Sequence, residues 1–230
     1  QDPPFNSNFI YNTYVLESAE REGVLVINKP ASLRDCNEKV FATEFPECCT
    51  PFLVTSEASL LKSFIEDHKD TVIKPLDGMG GSSIFRLRNT DPNLNVILET
   101  ITDSFKTKVM IQTYIPEITD GDKRVLLING MPMNAAVARV PAAGELRGNL
   151  AAGASAVARS LTEKDLWICE QVGPKLKDLG LVLVGLDIIG DYLTEINVTS
   201  PTCFREYENL CDINVAFSFL DAIEDIQKND

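Results

Sequence analysis

The chain has 230 residues, enough for one large domain or two small ones with real cores. Its composition, 44% hydrophobic and 24% charged, is that of an ordinary globular protein, and no apolar run is long enough to span a membrane. A net charge of −13 without a basic stripe excludes a nucleic-acid surface, but not a nucleotide, whose pocket field is set by Mg²⁺ and a few local cations.

An extended Asp2-Pro3-Pro4 entry, which does not read as a signal peptide, leads into a predicted helix over residues 7–21, stopped at Gly23. Residues 24–28 (Val-Leu-Val-Ile-Asn) form a continuous apolar run and predict a buried strand ended by Lys29-Pro30. A helix is expected over residues 37–45 with Lys39 inside it, then a short strand over 50–54. Capping residues at 56–59 open a helix that runs to about residue 67. His68, at the charged end of that helix, reads as a solvated residue. With no second histidine in the chain, neither a Ser-His triad nor a histidine zinc site is expected. The six cysteines show neither CxxC nor zinc spacing and are expected to be reduced, mostly buried thiols.

The stretch from Val72 to Phe85 organises the chain. An apolar strand ends in Lys74-Pro75, passes Gly78, Gly80, Gly81, Ser82 and Ser83, and becomes apolar again. Glycines there leave room for backbone N–H groups to crowd an anion, and Lys74 adds a charge suited to phosphate. The loop is neither a Walker A motif nor a GxGxxG fingerprint, because no Gly-Lys-Ser/Thr follows and the next element reads as a strand.

Further on, a helix is expected over residues 91–102, a strand over 108–114, and a strand over 125–128. Asn129-Gly130 predicts a type I′ turn into a strand over 135–140. Residues 141–160 form a long loop of small residues and predict a lid, with Arg147 directed at an anion. A helix over 162–179 leads to a strand over 181–189, a Gly190-Asp191 turn and a strand over 192–198. Glu195 and Asn197 share one face, and Asp187 meets them across the hairpin. Three oxygen donors in an apolar sheet suit Mg²⁺, and carboxylates buried without a cation would be costly. A last amphipathic helix is predicted over 215–226.

The wording of these stretches (Lys-Pro-Leu-Asp-Gly-Met-Gly-Gly, Asp-Gly-Asp-Lys-Arg-Val, Arg-Gly-Asn-Leu-Ala-Ala-Gly, Val-Gly-Leu-Asp-Ile-Ile-Gly-Asp, Thr-Glu-Ile-Asn-Val-Thr-Ser-Pro-Thr) resembles bacterial-type glutathione synthetase, end to end. That resemblance implies an α/β (α+β) ATP-grasp fold. Its expected parts are a remnant of an N-terminal substrate domain (1–34), a small subdomain with the glycine loop (35–115), and a C-terminal subdomain with metal site and lid (116–230). It implies ATP-dependent joining of γ-glutamylcysteine and glycine through an acyl phosphate. Rival readings are another ATP-grasp carboxylate–amine ligase and an inactive ATP-binding fragment.

By the same resemblance, Lys39, Lys74, Gly78, Gly80 and Gly81 hold the phosphates. Gln112, Thr113, Tyr114 and Ile115 line the adenine through strand-edge backbone groups, and Asp122 takes the ribose. Arg124 and Arg139 stabilise the transferring phosphoryl group, and Arg147 closes over it. Ser200 and Thr202 take a substrate carboxylate. Asp187, Glu195 and Asn197 hold Mg²⁺, or Mn²⁺. A cytoplasmic homo-oligomer is expected. Residues 153–157 (Gly-Ala-Ser-Ala-Val) depart from the family's more glycine- and charge-rich continuation, and the family's leading domain is not in this chain.

Overall fold

A computed structural model describes residues 5–78, 80–145, 147–148, 150 and 153–229. The Asp2-Pro3-Pro4 entry, Met79 of the glycine loop, and Leu146, Asn149, Ala151 and Ala152 of the expected lid lie outside the described residues.

Helix α1 (Ser7–Arg21) forms as expected, capped by the Asn6 side chain, which accepts from Phe9 N at 3.1 Å. The strand expected over residues 24–28 does not form. Val24 and Leu25 are exposed, and the run pairs with no strand among the described residues. Its last residue joins the core through its side chain instead. Asn28 Nδ2 donates to Leu183 O and Val198 O, both at 2.7 Å, and Asn28 Oδ1 accepts from Leu183 N at 2.9 Å. A short helix α2 (Pro30–Asp35) follows, with proline at its first position, where no N–H is needed.

The helix expected over 37–45 is replaced by two 3₁₀ turns, Phe41–Glu44 and Pro46–Cys48. Asn37 Oδ1 accepts from the backbone N–H groups of Lys39 and Val40, both at 3.1 Å, a local competitor to helical bonding. Lys39 therefore sits in a turn.

The smaller of two antiparallel sheets contains β1 (Phe52–Thr55), β2 (Asp70–Pro75), β3 (Phe85–Arg88) and β4 (Val109–Thr113), in the order β1-β4-β2-β3. Helices α3 (Ala58–His68) and α4 (Leu94–Ile101) bury Leu61, Ile65 and Leu98 against Ile73, Leu87 and Ile111. His68 is half-buried rather than solvated: it packs on Phe64 and approaches Thr113 Oγ1 to 3.4 Å.

The larger sheet contains β5 (Asp122–Ile128), β6 (Met131–Pro132), β7 (Ala136–Val140), β8 (Ser155–Arg159), β9 (Leu183–Ile189) and β10 (Tyr192–Asn197). Its order is β10-β9-β5-β7-β8, with β6 paired to β5 across the Asn129-Gly130 turn. Strand β8 corrects the expected lid, since residues 155–159 pair with β7 rather than staying in a loop. One face packs on α5 (Glu163–Asp178) through Val125, Leu127, Ile168 and Val172. Cys36, Phe41, Phe45 and Cys48 join that core, so residues 36–48, expected with the small subdomain, belong to the larger sheet. The other face packs on α6 (Phe204–Cys211) and α7 (Val215–Asn229) through Leu126, Ile128, Val137 and Tyr207.

Candidate active site

Strand alternation divides β5 in two. Val125 and Leu127 point to the α5 side, whereas Asp122, Arg124, Leu126 and Ile128 share the other face. Towards Ile128 that face is apolar; towards Asp122 it is charged, because the register sets charged partners opposite one another. Arg124 pairs with Asp187 of β9, Asp187 with Glu195 of β10, and Asp122 with Arg139 of β7. Gly185 makes room for this. A Cβ there would lie 2.9 Å from Arg124 Cδ and 3.0 Å from Pro201 Cβ, so a side chain would push the guanidinium off Asp187. An isolated glycine inside an apolar strand is a signal of such close approach, and it is the one the motif reading passed over.

The resulting network is dense. Asp187 accepts from Arg124 (Nε 2.6 Å, Nη2 3.1 Å), from Arg139 Nη2 at 3.0 Å and from Asn197 Nδ2 at 3.1 Å. Burial works to raise the Asp187 pKa, but the two guanidinium groups outweigh it and hold the carboxyl well below the ordinary range. Asp122 is different. Burial, opposed by Arg139 and reinforced by Asp187 and Glu195, pushes it up to about 7. Its Oδ2 accepts from Arg139, while its buried Oδ1 has no partner among the described residues.

The small sheet reaches this cluster through β2. Lys74 Nζ donates to Glu195 Oε1 and Thr194 O, each at 3.3 Å. Lys39 Nζ arrives from its turn to donate to Glu38 and to Gly78 O at 2.9 Å, and lies 3.7 Å from Glu195 Oε1. Burial opposes the low Glu195 pKa, which Lys39 and Lys74 nevertheless impose. Glu38 moves the other way, raised by burial and by Glu195. Thus Lys39, Lys74, Arg124 and Arg139 face Glu38, Asp122, Asp187 and Glu195, four charges of each sign. Glu38 was not anticipated, because nothing in the local sequence sets it apart from a solvated helical glutamate.

A cavity of about 330 Å³ opens beside the network. It is lined by Lys39, Lys74, Gly78, Gly80, Gly81, Gln112, Tyr114, Ile115, Asp122, Arg124, Arg139, Arg147, Asp187, Glu195, Asn197, Ser200 and Thr202. Thr113 is not brought there; alternation turns its side chain to His68. The expected strand edge is also corrected. β4 lies between β1 and β2, and the N–H groups of Thr113 and Tyr114 are spent on Pro51 O and Asp70 O, both at 3.0 Å. Arg86, not anticipated, lies 3.5 Å over the Tyr114 ring and is held by both Asp70 carboxylate oxygens.

Arg147 pairs with its neighbour Glu145 at 2.6 Å, and its side chain is 39% exposed. Gly81, with φ +75°, lies directly against it: a Cβ at Gly81 would be 3.0 Å from Arg147 Cδ. Glycine loop and lid segment therefore meet at the mouth of the cavity.

The donor set suits a hard divalent cation. Two carboxylates and one amide stand on neighbouring strand positions, and Asn197 spends its Nδ2 on Asp187 and on Gly185 O, leaving its oxygen to offer. The unspent Oδ1 of Asp122 is an acceptor that a hydroxyl donor would satisfy.

Residues 38–212 match the family model described as the prokaryotic glutathione synthetase ATP-grasp domain, and residues 1–34 match that of the N-terminal domain. The glutathione synthetase of Pseudomonas aeruginosa is 57% identical over 223 residues, covering 97% of this chain and 70% of the relative. That of Vibrio cholerae is 56% identical over 224 residues, covering 97% and 70%. Among solved structures, the ATP-grasp ligase PsnB complexed with minimal precursor, Mg and ADP gives a TM-score of 0.68 at 20% identity, over 94% of this chain and 67% of that one. The D-alanine–D-alanine ligase of Bacillus anthracis complexed with ATP gives 0.60 at 15% identity, over 92% and 72%. These structural likenesses bear on the fold alone, which is ATP-grasp.

Proposed function

The chain belongs to the prokaryotic glutathione synthetase family and is an ATP-dependent ligase, and on that footing we propose that it joins γ-glutamylcysteine to glycine through an acyl phosphate. The observation that carries this reading is the cluster of four cations and four carboxylates where the two sheets meet, beside a glycine loop. The gripping units are those built on the two sheets, with residues 36–48 counted to the larger and residues 1–34 assigned to the substrate domain. A cytoplasmic location and a homo-oligomeric state complete the proposal and rest on the family; among the described residues no helix is long and apolar enough to cross a membrane.

A carboxylate is a poor acyl donor. In the proposed reaction a carboxylate oxygen of the dipeptide attacks the γ-phosphorus of ATP and ADP leaves. The glycine amine then attacks the acyl carbon and phosphate departs with the bonding pair. Phosphoryl transfer needs positioning and charge neutralisation more than a protein nucleophile, which suits a site without histidine. Lys39 and Lys74 hold phosphate oxygens, with the backbone of Gly78, Gly80 and Gly81 beside them. Tyr114, Ile115 and Gln112 border the base, and Asp122 accepts from the ribose through its unspent oxygen. Arg124 and Arg139 stabilise charge on the transferring group. Arg147 keeps water from the acyl phosphate, and Ser200 with Thr202 receives a substrate carboxylate. Asp187, Glu195 and Asn197 would hold Mg²⁺, with Mn²⁺ as a substitute, which when bound neutralises phosphate charge.

The test is ADP release from MgATP and γ-glutamylcysteine, with and without glycine, using the chain as it stands. Glycine-dependent turnover is expected. ATP binding without turnover would favour an inactive fragment, and turnover only with D-alanine would favour another ligase.

A further inference from the structure

The apolar residues lining the cavity come from two parts of the chain. One group, Val72, Ile84, Tyr114 and Ile118, belongs to the small sheet and the turn that follows it. The other has no nucleotide part left to receive. It is made by Phe5 and Phe9, whose rings lie 5.1 Å apart, together with Leu33 and Cys36. Phe9 and Cys36 are buried, and Phe5 is 36% exposed.

This second group is fixed to the reacting region by the chain itself. Cys36 stands three residues before Lys39, so the two backbones lie within about 11 Å of one another. Asn37 between them donates to Leu76 O in the glycine loop at 2.9 Å, and Asn28 donates to Val198 O at 2.7 Å, beside the Ser200–Thr202 segment. The segment from Asn28 to Asn37, which carries Leu33 and Cys36, is therefore tied both to the glycine loop and to the segment leading to Ser200 and Thr202. Cys36 stays a neutral thiol, since burial, with Glu44 and Asp35, pushes it up to about 11.

We propose that Phe5, Phe9, Leu33 and Cys36 form the subsite for the cysteinyl side chain of the dipeptide and select its thiol over a hydroxyl. This rests on the ligase reading above. γ-Glutamylcysteine carries charge at its amino group and its two carboxylates, whereas its thiol side chain is uncharged and is attached one carbon from the carboxylate that is phosphorylated. With the base assigned to one apolar group and the phosphates to the lysines, the other apolar group is left to the acyl substrate. Aromatic edges and a small apolar wall favour a polarisable sulfur. A seryl hydroxyl set among these side chains would give up hydrogen bonds to water, at a cost of roughly tenfold to a hundredfold in affinity.

Calorimetric titration of the chain, loaded with a non-hydrolysable ATP analogue and Mg²⁺, would compare γ-glutamylcysteine, γ-glutamyl-α-aminobutyrate and γ-glutamylserine. The expected order is cysteine first, the methyl analogue close behind, and serine weaker by about tenfold or more. Phe9→Leu should narrow the cysteine-to-serine ratio, and so should Phe5→Ala, whose half-exposed position keeps folding out of the result. ATP-analogue affinity should hold within about twofold in both. Equal affinity for the cysteinyl and seryl dipeptides, or an unchanged ratio in both variants, would overturn the subsite. Absence of glycine-dependent turnover in the unaltered chain would instead strike the ligase reading, and the binding ratios would still decide the subsite.

Discussion

The cations around the cavity fall into two groups that the fold treats differently. Arg124 and Arg139 stand on strands and each is buried; the ladder sets Arg124 opposite Asp187 and Arg139 opposite Asp122, and Arg139 also reaches Asp187. Arg147 stands on the segment between β7 and β8, is partly exposed, and among the described residues pairs with Glu145 two residues away. Strand-borne charge is preorganised and its partners are non-local, so removing one member leaves the others buried and unpaired. Loop-borne charge costs little to move. A ligase that must hold a phosphoryl group still and yet admit and release substrates needs both kinds.

The largest effect should come from breaking the strand-borne group at its centre. Asp187→Ala leaves the buried Arg124 without its carboxylate and Arg139 with Asp122 alone, and a loss of about 3–5 kcal/mol in urea unfolding is expected, with turnover at background. A stable Asp187→Ala protein would mean that the ladder is not what holds Arg124 and Arg139. Next comes Arg139→Ala, for which kcat should fall about 10²–10³-fold. Unchanged turnover there would remove Arg139 from the phosphoryl site.

Arg147→Ala tests the loop-borne group. Its stability should change by less than about 0.5 kcal/mol, as for other exposed pairs. Its signature should be kinetic: ADP release should become partly independent of glycine, as water reaches the acyl phosphate. Tight coupling retained in that variant would assign water exclusion to other residues.

The smallest effect is a pH slope. Asp122 has a folded pKa raised to about 7, above its ordinary value near 3.8, so its contribution is fully present below about pH 4 and is lost as pH rises through 7. Asp187, shifted downward, contributes above about pH 4 and loses that contribution only in acid. Between about pH 5 and 8 the Asp122 slope should therefore show, with that of Glu38, also raised, adding in the same direction, and the unliganded chain should be less stable at the higher pH. Asp122→Asn should reduce the slope, as read by urea midpoints across that range; an equal slope in the variant would place the titrating group elsewhere.

Much of the site was legible from local pattern. Strand–Lys-Pro–glycine–strand around residues 72–85 can be read directly, because glycine and proline act on their own φ and on immediate neighbours. The Gly190-Asp191 hairpin likewise pairs Tyr192 with Ile189 and Leu193 with Ile188, since a tight turn sets the register of the strands it joins. These are short-range consequences and could be expected, but a register shift between Leu193 and Glu195, which no local pattern announces, is what brings Glu195 opposite Asp187.

What only the tertiary structure decided depends on partners far away in the chain. Residues 24–28 have the composition of a buried strand, but a strand needs a neighbour, and none among the described residues pairs with them; Asn28 is anchored by groups more than 150 residues distant. β4 is an interior strand because β1 pairs with its other side, and the N–H groups of Thr113 and Tyr114 are spent on Pro51 O and Asp70 O. Arg124 meets Asp187 across 63 positions, and Gly185 gives it room. Propensity and turn chemistry are written residue by residue, whereas strand order and burial are settled by which surfaces the whole chain can bury together, and the charged cluster of this ligase is a product of the latter.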